Sequence, residues 1–375
     1  MNYLDNGATS FHKPACVLDA VRCALETCAN PGRGGYPAAM TGAKTVLRCR
    51  ERAGALFGCQ PEQVVFTSNC THSLNLAIHT LVNPGDRVVI SGFEHNAVTR
   101  PLHGLGAQVI VAGERLFDRE DTLCRFEDAL KKRPAAAVFT HVSNVFGYIL
   151  PVAEMAALCR QYHVPFAIDA AQSAGMLPVS LEGLGADFIA MPGHKGLLGP
   201  QGTGLLLCAR QPKPLLRGGT GSLSAQQEMP DFLPDGAEAG TLNVPGIAGL
   251  SAGLGYLARV GIDTIRSKAH REAVRCAKGL ETLGYRVFSG ADQLATVSFL
   301  PRGDCEQTAD FLGRKGICVR AGLHCAPLAH SSVGTLETGT VRVSYGHDAA
   351  PWQTGDLLQV LEEITRKGGT LPGIL

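Results

Sequence analysis

The feature that most constrains what this chain can fold into is a rhythm. Between Ala15 and Leu207, short unbroken apolar runs alternate with segments whose apolar residues recur at helical spacing. The runs Val64–Thr67, Arg87–Ser91, Val109–Ala112, Ala136–His141, Phe166–Asp169, Phe188–Met191 and Gly204–Leu207 read as strands. A strand with one wet face alternates apolar and polar residues, so unbroken runs predict strands covered on both faces, as in a mostly parallel sheet. Parallel neighbours need crossover connections, and Ser73–Leu81 and Val152–Tyr162 carry the spacing of crossover helices. The pattern predicts an α/β fold whose mostly parallel central sheet is flanked by helices on both faces.

Around Arg217–Pro245 the rhythm dissolves into glycine, proline and small polar residues, either a linker or a functional loop. Helices are predicted from about Val244, over Thr264–Leu283 and over Thr354–Arg366, with strands over Leu294–Leu300, Ile317–Arg320 and Val341–Ser344. At 375 residues, the expected division is a large domain over 15–245 and a smaller α+β C-terminal domain over 246–375.

Charge and cysteine usage narrow the function classes. A formal net charge of +1, with no lysine or arginine block, leaves no electrostatic footprint for nucleic acid or an anionic membrane. A small-molecule substrate is the default. The thirteen cysteines are scattered without a Cys-x-x-Cys pair, which fits reduced thiols in a cytosol and not a disulfide framework. The opening MNYLDNGATSFHKP lacks the charged start and apolar stretch of a signal peptide. Val244–Ala258, the longest mildly apolar stretch, is glycine-rich and falls short of the about 20 residues that span a bilayer. A cytoplasmic setting is expected.

Four motifs carry chemistry. The strand Phe188–Met191 runs into Pro192-Gly193-His194-Lys195-Gly196. A lysine in a glycine-rich turn after a buried strand can shed water and lower its pKa, as Schiff-base chemistry requires. Taken alone, an exposed lysine in a turn is the commoner use, and the order of glycine and lysine is not that of a Walker loop. Asp169 ends an apolar strand, where sites in open α/β sheets gather. It reads equally as a partner for a cofactor's ring nitrogen and as a helix N-cap. Asn69-Cys70-Thr71-His72 opens a helix after a strand, so its free N–H groups and the Thr71 hydroxyl can cradle a phosphate, although an ordinary cap looks the same. Arg320-Ala321-Gly322-Leu323-His324-Cys325-Ala326 places a thiol in a loop. Near a cation it can act as a nucleophilic thiolate; otherwise it is a buried structural cysteine. A zinc site from His324, Cys325 and His330 lacks the paired ligand spacing of closed sites.

Taken in order, the YLDNGAT opening, the strand leading into Asp169-Ala170-Ala171-Gln172, the Gly-His-Lys turn, the Arg-x-Gly-x-His-Cys-Ala loop and the closing TVRVSYG resemble the cysteine desulfurase and selenocysteine lyase group of the class V aminotransferase family, fold-type I enzymes. The resemblance spans nearly the whole chain. It implies pyridoxal 5'-phosphate (PLP) as cofactor, bound in the 15–245 domain, with residues 1–14 packed near the small domain and the active site. It implies removal of sulfur from L-cysteine to give L-alanine and a persulfide on Cys325. Selenocysteine lyase activity, releasing selenium from L-selenocysteine, and another class V aminotransferase or lyase reaction are the alternatives.

By the same resemblance, Lys195 holds the cofactor as a Schiff base and moves the substrate's Cα proton. Asp169 pairs with the ring nitrogen, Gln172 with the phenolic oxygen, and His95 stacks on the ring as a catalytic neighbour. Asn144 sits near the ring oxygen and the substrate, and Arg342 clamps the substrate carboxylate, a task suited to a guanidinium fork. Thr71 and His194 hold the phosphate, joined by Thr241 from the partner subunit of a homodimer. No metal is implied. The short cysteine loop implies guarded delivery of sulfur or selenium to an acceptor protein. The chain departs from the pattern at Pro192, where serine is frequent, at His72, where glutamate is usual, and at Tyr36, where histidine is frequent. These departures bear on substrate preference and rate.

Overall fold

The computed structural model describes residues 1–32 and 34–366. Strand β1 (Asn2–Tyr3) precedes two helices, α1 (Ala15–Thr27) and α2 (Pro37–Phe57). Strands and helices then alternate: β2 (Val64–Thr67), α3 (Cys70–Leu81), β3 (Arg87–Ile90), α4 (Asn96–Gly104), β4 (Gln108–Val111), α5 (Arg119–Leu130), β5 (Ala136–Thr140), α6 (Val152–Tyr162), β6 (Phe166–Asp169), the short α7 (Leu181–Leu184), β7 (Phe188–Pro192) and β8 (Gly204–Cys208). Two long helices, α8 (Val244–Val260) and α9 (Ile262–Thr282), lead to β9 (Arg286–Phe288), β10 (Thr296–Leu300), α10 (Cys305–Arg314), β11 (Ile317–Cys318), β12 (Arg320–Gly322), α11 (Pro327–Val333), β13 (Thr340–Ser344) and α12 (Pro351–Arg366).

Seven strands form one sheet in the order β2-β8-β7-β6-β5-β3-β4. Only the two pairings made by β8 are antiparallel. Strands β5 to β8 are buried along their whole length, the physical reason for their unbroken apolar runs. Because β2, β3, β5, β6 and β7 run the same way, the loops after them open on one edge of the sheet. That edge is where open α/β sheets place ligands.

The outer edge of β2 is capped by a buried ion pair. Arg50 of α2 donates to the Val64 carbonyl and, at 2.6 Å, to Glu238 Oε2, while Glu238 Oε1 accepts from the Phe66 N–H at 2.6 Å. Both side chains are less than a tenth exposed, and the guanidinium lies 4.5 Å over the Phe66 ring. The pair satisfies edge-strand groups that would otherwise invite pairing with another chain. Removing one partner leaves the other as an uncompensated buried charge, so Glu238→Ala is expected to lower unfolding stability by about 3–5 kcal/mol, read from the midpoint of urea unfolding.

A second, antiparallel sheet has the order β12-β13-β10-β9. The expected single strand Ile317–Arg320 is two strands in different sheets. Ile317 and Cys318 pair with β1 at the start of the chain, and Arg320 begins the strand that pairs with β13. No local pattern announces so distant a partner as β1. The expected boundary at 245/246 falls in the first turn of α8, which packs on α1 and α2. A helix, not a flexible linker, carries the chain from the large sheet toward the small one.

Candidate active site

The loops at the carboxyl edge of the sheet border a cavity of about 190 Å³. Seven residues singled out from the sequence line it: Thr71, His95, Asn144, Asp169, Gln172, His194 and Lys195. They arrive on five different strand ends, so the fold is what brings them together.

Lys195 owes its place to glycines whose backbones must approach others closely. A Cβ on Gly193 would lie 2.0 Å from Thr203 Oγ1, and one on Gly196 would lie 2.2 Å from the Ala174 carbonyl. Bonds from Gly193 N–H to the Thr203 carbonyl (2.8 Å) and from Gly199 N–H to the Gly193 carbonyl (2.7 Å) close the turn. Burial holds the Lys195 amine below the usual lysine range, with Asp169 pulling the other way. A lysine with a lowered pKa is closer to the neutral form that acts as nucleophile or base.

Asp169 is buried at the end of β6. Burial raises its pKa, and hydrogen bonding from Ala171 N–H (2.8 Å) and the charge of Lys195 oppose that rise. The Cys70 thiol donates to Asp169 Oδ1 at 3.5 Å. Cys70 was not singled out from the sequence, where nothing distinguishes it from the other scattered thiols. His95 is the N-cap of α4: its Nδ1 accepts from Ala97 N–H at 3.0 Å, which assigns the ring proton to Nε2. Burial pulls its pKa down to about 4, so the ring is neutral at pH 7. The adjoining Glu94 is fully buried, bonded through Oε1 to the Ser91 hydroxyl (2.5 Å) and Thr140 N–H (2.8 Å), and burial pushes it up to about 8. This acid ties the His95 loop to β5.

The amino-terminal segment grips the lysine turn. His194 Nδ1 lies 3.0 Å from Thr9 Oγ1, and Ser10 Oγ donates to the carbonyls of His194 (3.0 Å) and Lys195 (3.1 Å). Lys13 donates to Ser10 Oγ at 2.6 Å and to the His194 carbonyl at 2.9 Å, with burial pulling its pKa down to about 8. Gln172 Nε2 donates to the Gly7 carbonyl at 2.9 Å. Apart from the Lys13–Ser10 bond, these contacts span more than 160 residues of sequence and escape any local reading.

Three expected residues lie outside the cavity wall. Arg342, 1% exposed, sits one layer behind it, donating to the Asn144 carbonyl (2.9 Å) and to Asp5 Oδ1 (2.6 Å). Its Nε and the Asn144 Oδ1 are buried without a partner among the described residues. Cys325 is exposed on a turn tied to the site: Asn96 N–H donates to its carbonyl at 2.7 Å, and Asn144 Nδ2 donates to the His324 carbonyl at 2.7 Å. Thr241 lines a different, open cavity with Arg50 and the glycines 219 and 221. Its chain therefore does not bring it to its own Lys195. Among the described residues no group of three or more His, Cys, Asp or Glu side chains is placed to hold a metal ion.

The family model described as aminotransferase class-V matches residues 2–351. A probable cysteine desulfurase of Methanothermobacter thermautotrophicus is 32% identical over 98% of this chain and 95% of its own length. One of Pyrococcus abyssi is 30% identical over 97% and 94%. Among solved structures, an apo cysteine desulfurase from Thermococcus onnurineus superposes with a TM-score of 0.88 at 30% identity, covering 97% of this chain and 94% of that one. The chain belongs to the class-V aminotransferase family.

Proposed function

We propose that this protein is a PLP-dependent cysteine desulfurase, taking sulfur from L-cysteine onto Cys325 and releasing L-alanine. The observation that carries the reading is the meeting of the Lys195 amine and the Asp169 carboxylate in one cavity, beneath a turn that presents an exposed thiol. The relatives named as probable cysteine desulfurases support it.

The residues fit PLP. Asp169 is a carboxylate whose pKa burial raises, and a protonated ring nitrogen beside it would favour its charged form. His95 offers a neutral aromatic face. At the other end, the first turn of α3, with Thr71, provides free N–H groups for a phosphate, and His194 stands beside it with Nδ1 already engaged by Thr9. Asn144, whose buried Oδ1 has no partner among the described residues, lines the same space. When bound, the cofactor supplies an electron sink that stabilises negative charge at the substrate Cα.

The chain's own residues do the rest. Arg342, held one layer behind the cavity wall by Asp5 and the Asn144 carbonyl, supplies positive charge on the side where the substrate carboxylate would lie. Lys195, whose pKa burial lowers, takes the Cα proton. The Cys325 thiolate attacks the substrate sulfur. A sulfur–sulfur bond forms, the carbon–sulfur bond breaks with its electron pair passing to the carbon skeleton, Cβ takes up the proton that the Cys325 thiol gave up and Lys195 returns the other to Cα, so alanine leaves without any external oxidant. The persulfide then passes to a thiol of an acceptor protein.

The finer reading is a homodimer in which Thr241 of each chain completes the phosphate site of the other, working in the reducing cytoplasm. All thirteen cysteines are free, which is consistent with that compartment. No helix among the described residues is long and apolar enough to cross a membrane. The test is turnover of the PLP-loaded protein with L-cysteine and, separately, L-selenocysteine, each with a thiol acceptor. Equal yields of alanine and sulfide from L-cysteine are expected. Pyruvate and ammonia in place of alanine would instead make it a β-elimination enzyme.

A further inference from the structure

The turn that presents Cys325 is strained. His324 and Cys325 both have positive φ, 49° and 57°, and consecutive non-glycine residues hold such angles only where their surroundings over-determine them. One bond closes the turn on itself, Ala326 N–H to the Leu323 carbonyl (2.9 Å), and two hold its backbone from outside, Asn144 Nδ2 to the His324 carbonyl and Asn96 N–H to the Cys325 carbonyl (both 2.7 Å).

Beneath the turn lies a pair of buried imidazoles. His324 Nε2 is 3.2 Å from both the carbonyl and the hydroxyl of Thr340. His330, on α11 and fully buried, has Nδ1 2.8 Å from Thr335 Oγ1. The two ring centroids are 5.8 Å apart at a tilt of 33°, and on the other side of His330 the Phe146 ring is 6.0 Å away. Phe146 belongs to the loop that carries Asn144. The column Phe146, His330, His324 thus joins the cofactor-side loop to the cysteine turn.

Filling space does not explain His330. A leucine or phenylalanine would pack there without a polar atom, whereas the His330 ring lies against the Leu323 backbone with no well-formed bond to Nε2 among the described residues, and His324 Nδ1 is buried without a partner among them. Burial pulls His330 down to about 4 and His324 to about 2, so both rings stay uncharged at neutral pH. The Thr335 bond fixes the orientation of the ring, and an oriented ring is what a mechanical prop requires.

We propose that His330, oriented by Thr335 and acting through His324, is a positioning residue that holds the left-handed turn and thereby sets where the Cys325 sulfur stands relative to the Lys195 cavity. The role in turnover rests on the reading of Cys325 as sulfur acceptor; the role in holding the turn does not.

The test uses the PLP-loaded holoenzyme with two readouts. One is the rate at which iodoacetamide alkylates Cys325, followed by peptide mass without turnover. The other is the kcat and KM for alanine release from L-cysteine. In His330→Ala the alkylation rate is expected to rise several-fold and kcat to fall on the order of 10- to 100-fold with KM little changed, the scale of a misplaced reacting group. Thr335→Val should shift both readouts in the same direction, and Thr335→Ser should restore them. Wild-type alkylation and kcat in Thr335→Val overturn the proposal, and if His330→Ala does not fold, the Thr335 pair decides alone. Altered alkylation in a protein that never releases alanine from cysteine sinks the desulfurase reading and leaves the positioning role standing.

Discussion

Replacing Cys325 with alanine is expected to end sulfur capture while leaving the cofactor site whole. The thiol is exposed, its turn touches the site only through backbone carbonyls, and its side chain lines no part of the cavity that holds Lys195 and Asp169. Truncating it removes the attacking atom without disturbing the groups that activate the substrate. Alanine release from L-cysteine should therefore fall on the order of 10³-fold or more, as when a covalent nucleophile is lost. The absorbance of the lysine-linked cofactor should be unchanged. Both are read on one sample, by product assay and by spectrum. Alanine release at the wild-type rate would show that some other group accepts the sulfur.

Lys195→Ala is expected to have an effect of similar size and opposite signature. It removes the covalent attachment of the cofactor and the base for the Cα proton together, so alanine release should fall on the order of 10³-fold or more. Treatment of the wild-type protein with borohydride should fix the cofactor to the peptide containing Lys195, and in the variant no such peptide should form. The pair of variants separates the two halves of the site. Losing Lys195 abolishes the linkage, and losing Cys325 spares it. Because the turn around Lys195 is closed by backbone bonds and by Ser10 and Lys13, neither requiring the lysine side chain, the variant is expected to fold.

The fold was largely legible because its strands are buried on both faces. Val64–Thr67 and Phe166–Asp169 begin and end where their unbroken apolar runs do, and Val152–Tyr162 is a helix over the residues its spacing marks. Where a strand is defined by a remote partner, the sequence was silent. Ile317 and Cys318 pair with β1, and only the folded chain shows it. The site divides along the same line. Lys195, Asp169 and Thr71 each follow a strand, so their position on one edge could be expected from topology. Cys70 against Asp169, the grip of Thr9, Ser10 and Lys13 on the lysine turn, and the column of Phe146, His330 and His324 are contacts between segments far apart in the chain. Arg342 was expected at the substrate, and its guanidinium lies one layer behind, bonded to Asp5 and to the carbonyl of Asn144. An arginine's residue type announces a carboxylate partner but not which carboxylate it meets in the folded chain.

The central claim is that substrate sulfur comes to rest on Cys325. The measurement that tests it most directly is the mass of the PLP-loaded protein after brief exposure to L-cysteine with no thiol acceptor present, with peptide mapping and alanine counted in the same sample. The account predicts a gain of one sulfur atom per chain, located on the peptide containing Cys325, and one alanine released for each sulfur gained. Alanine and free sulfide appearing in the first turnover with the Cys325 peptide unmodified would contradict it.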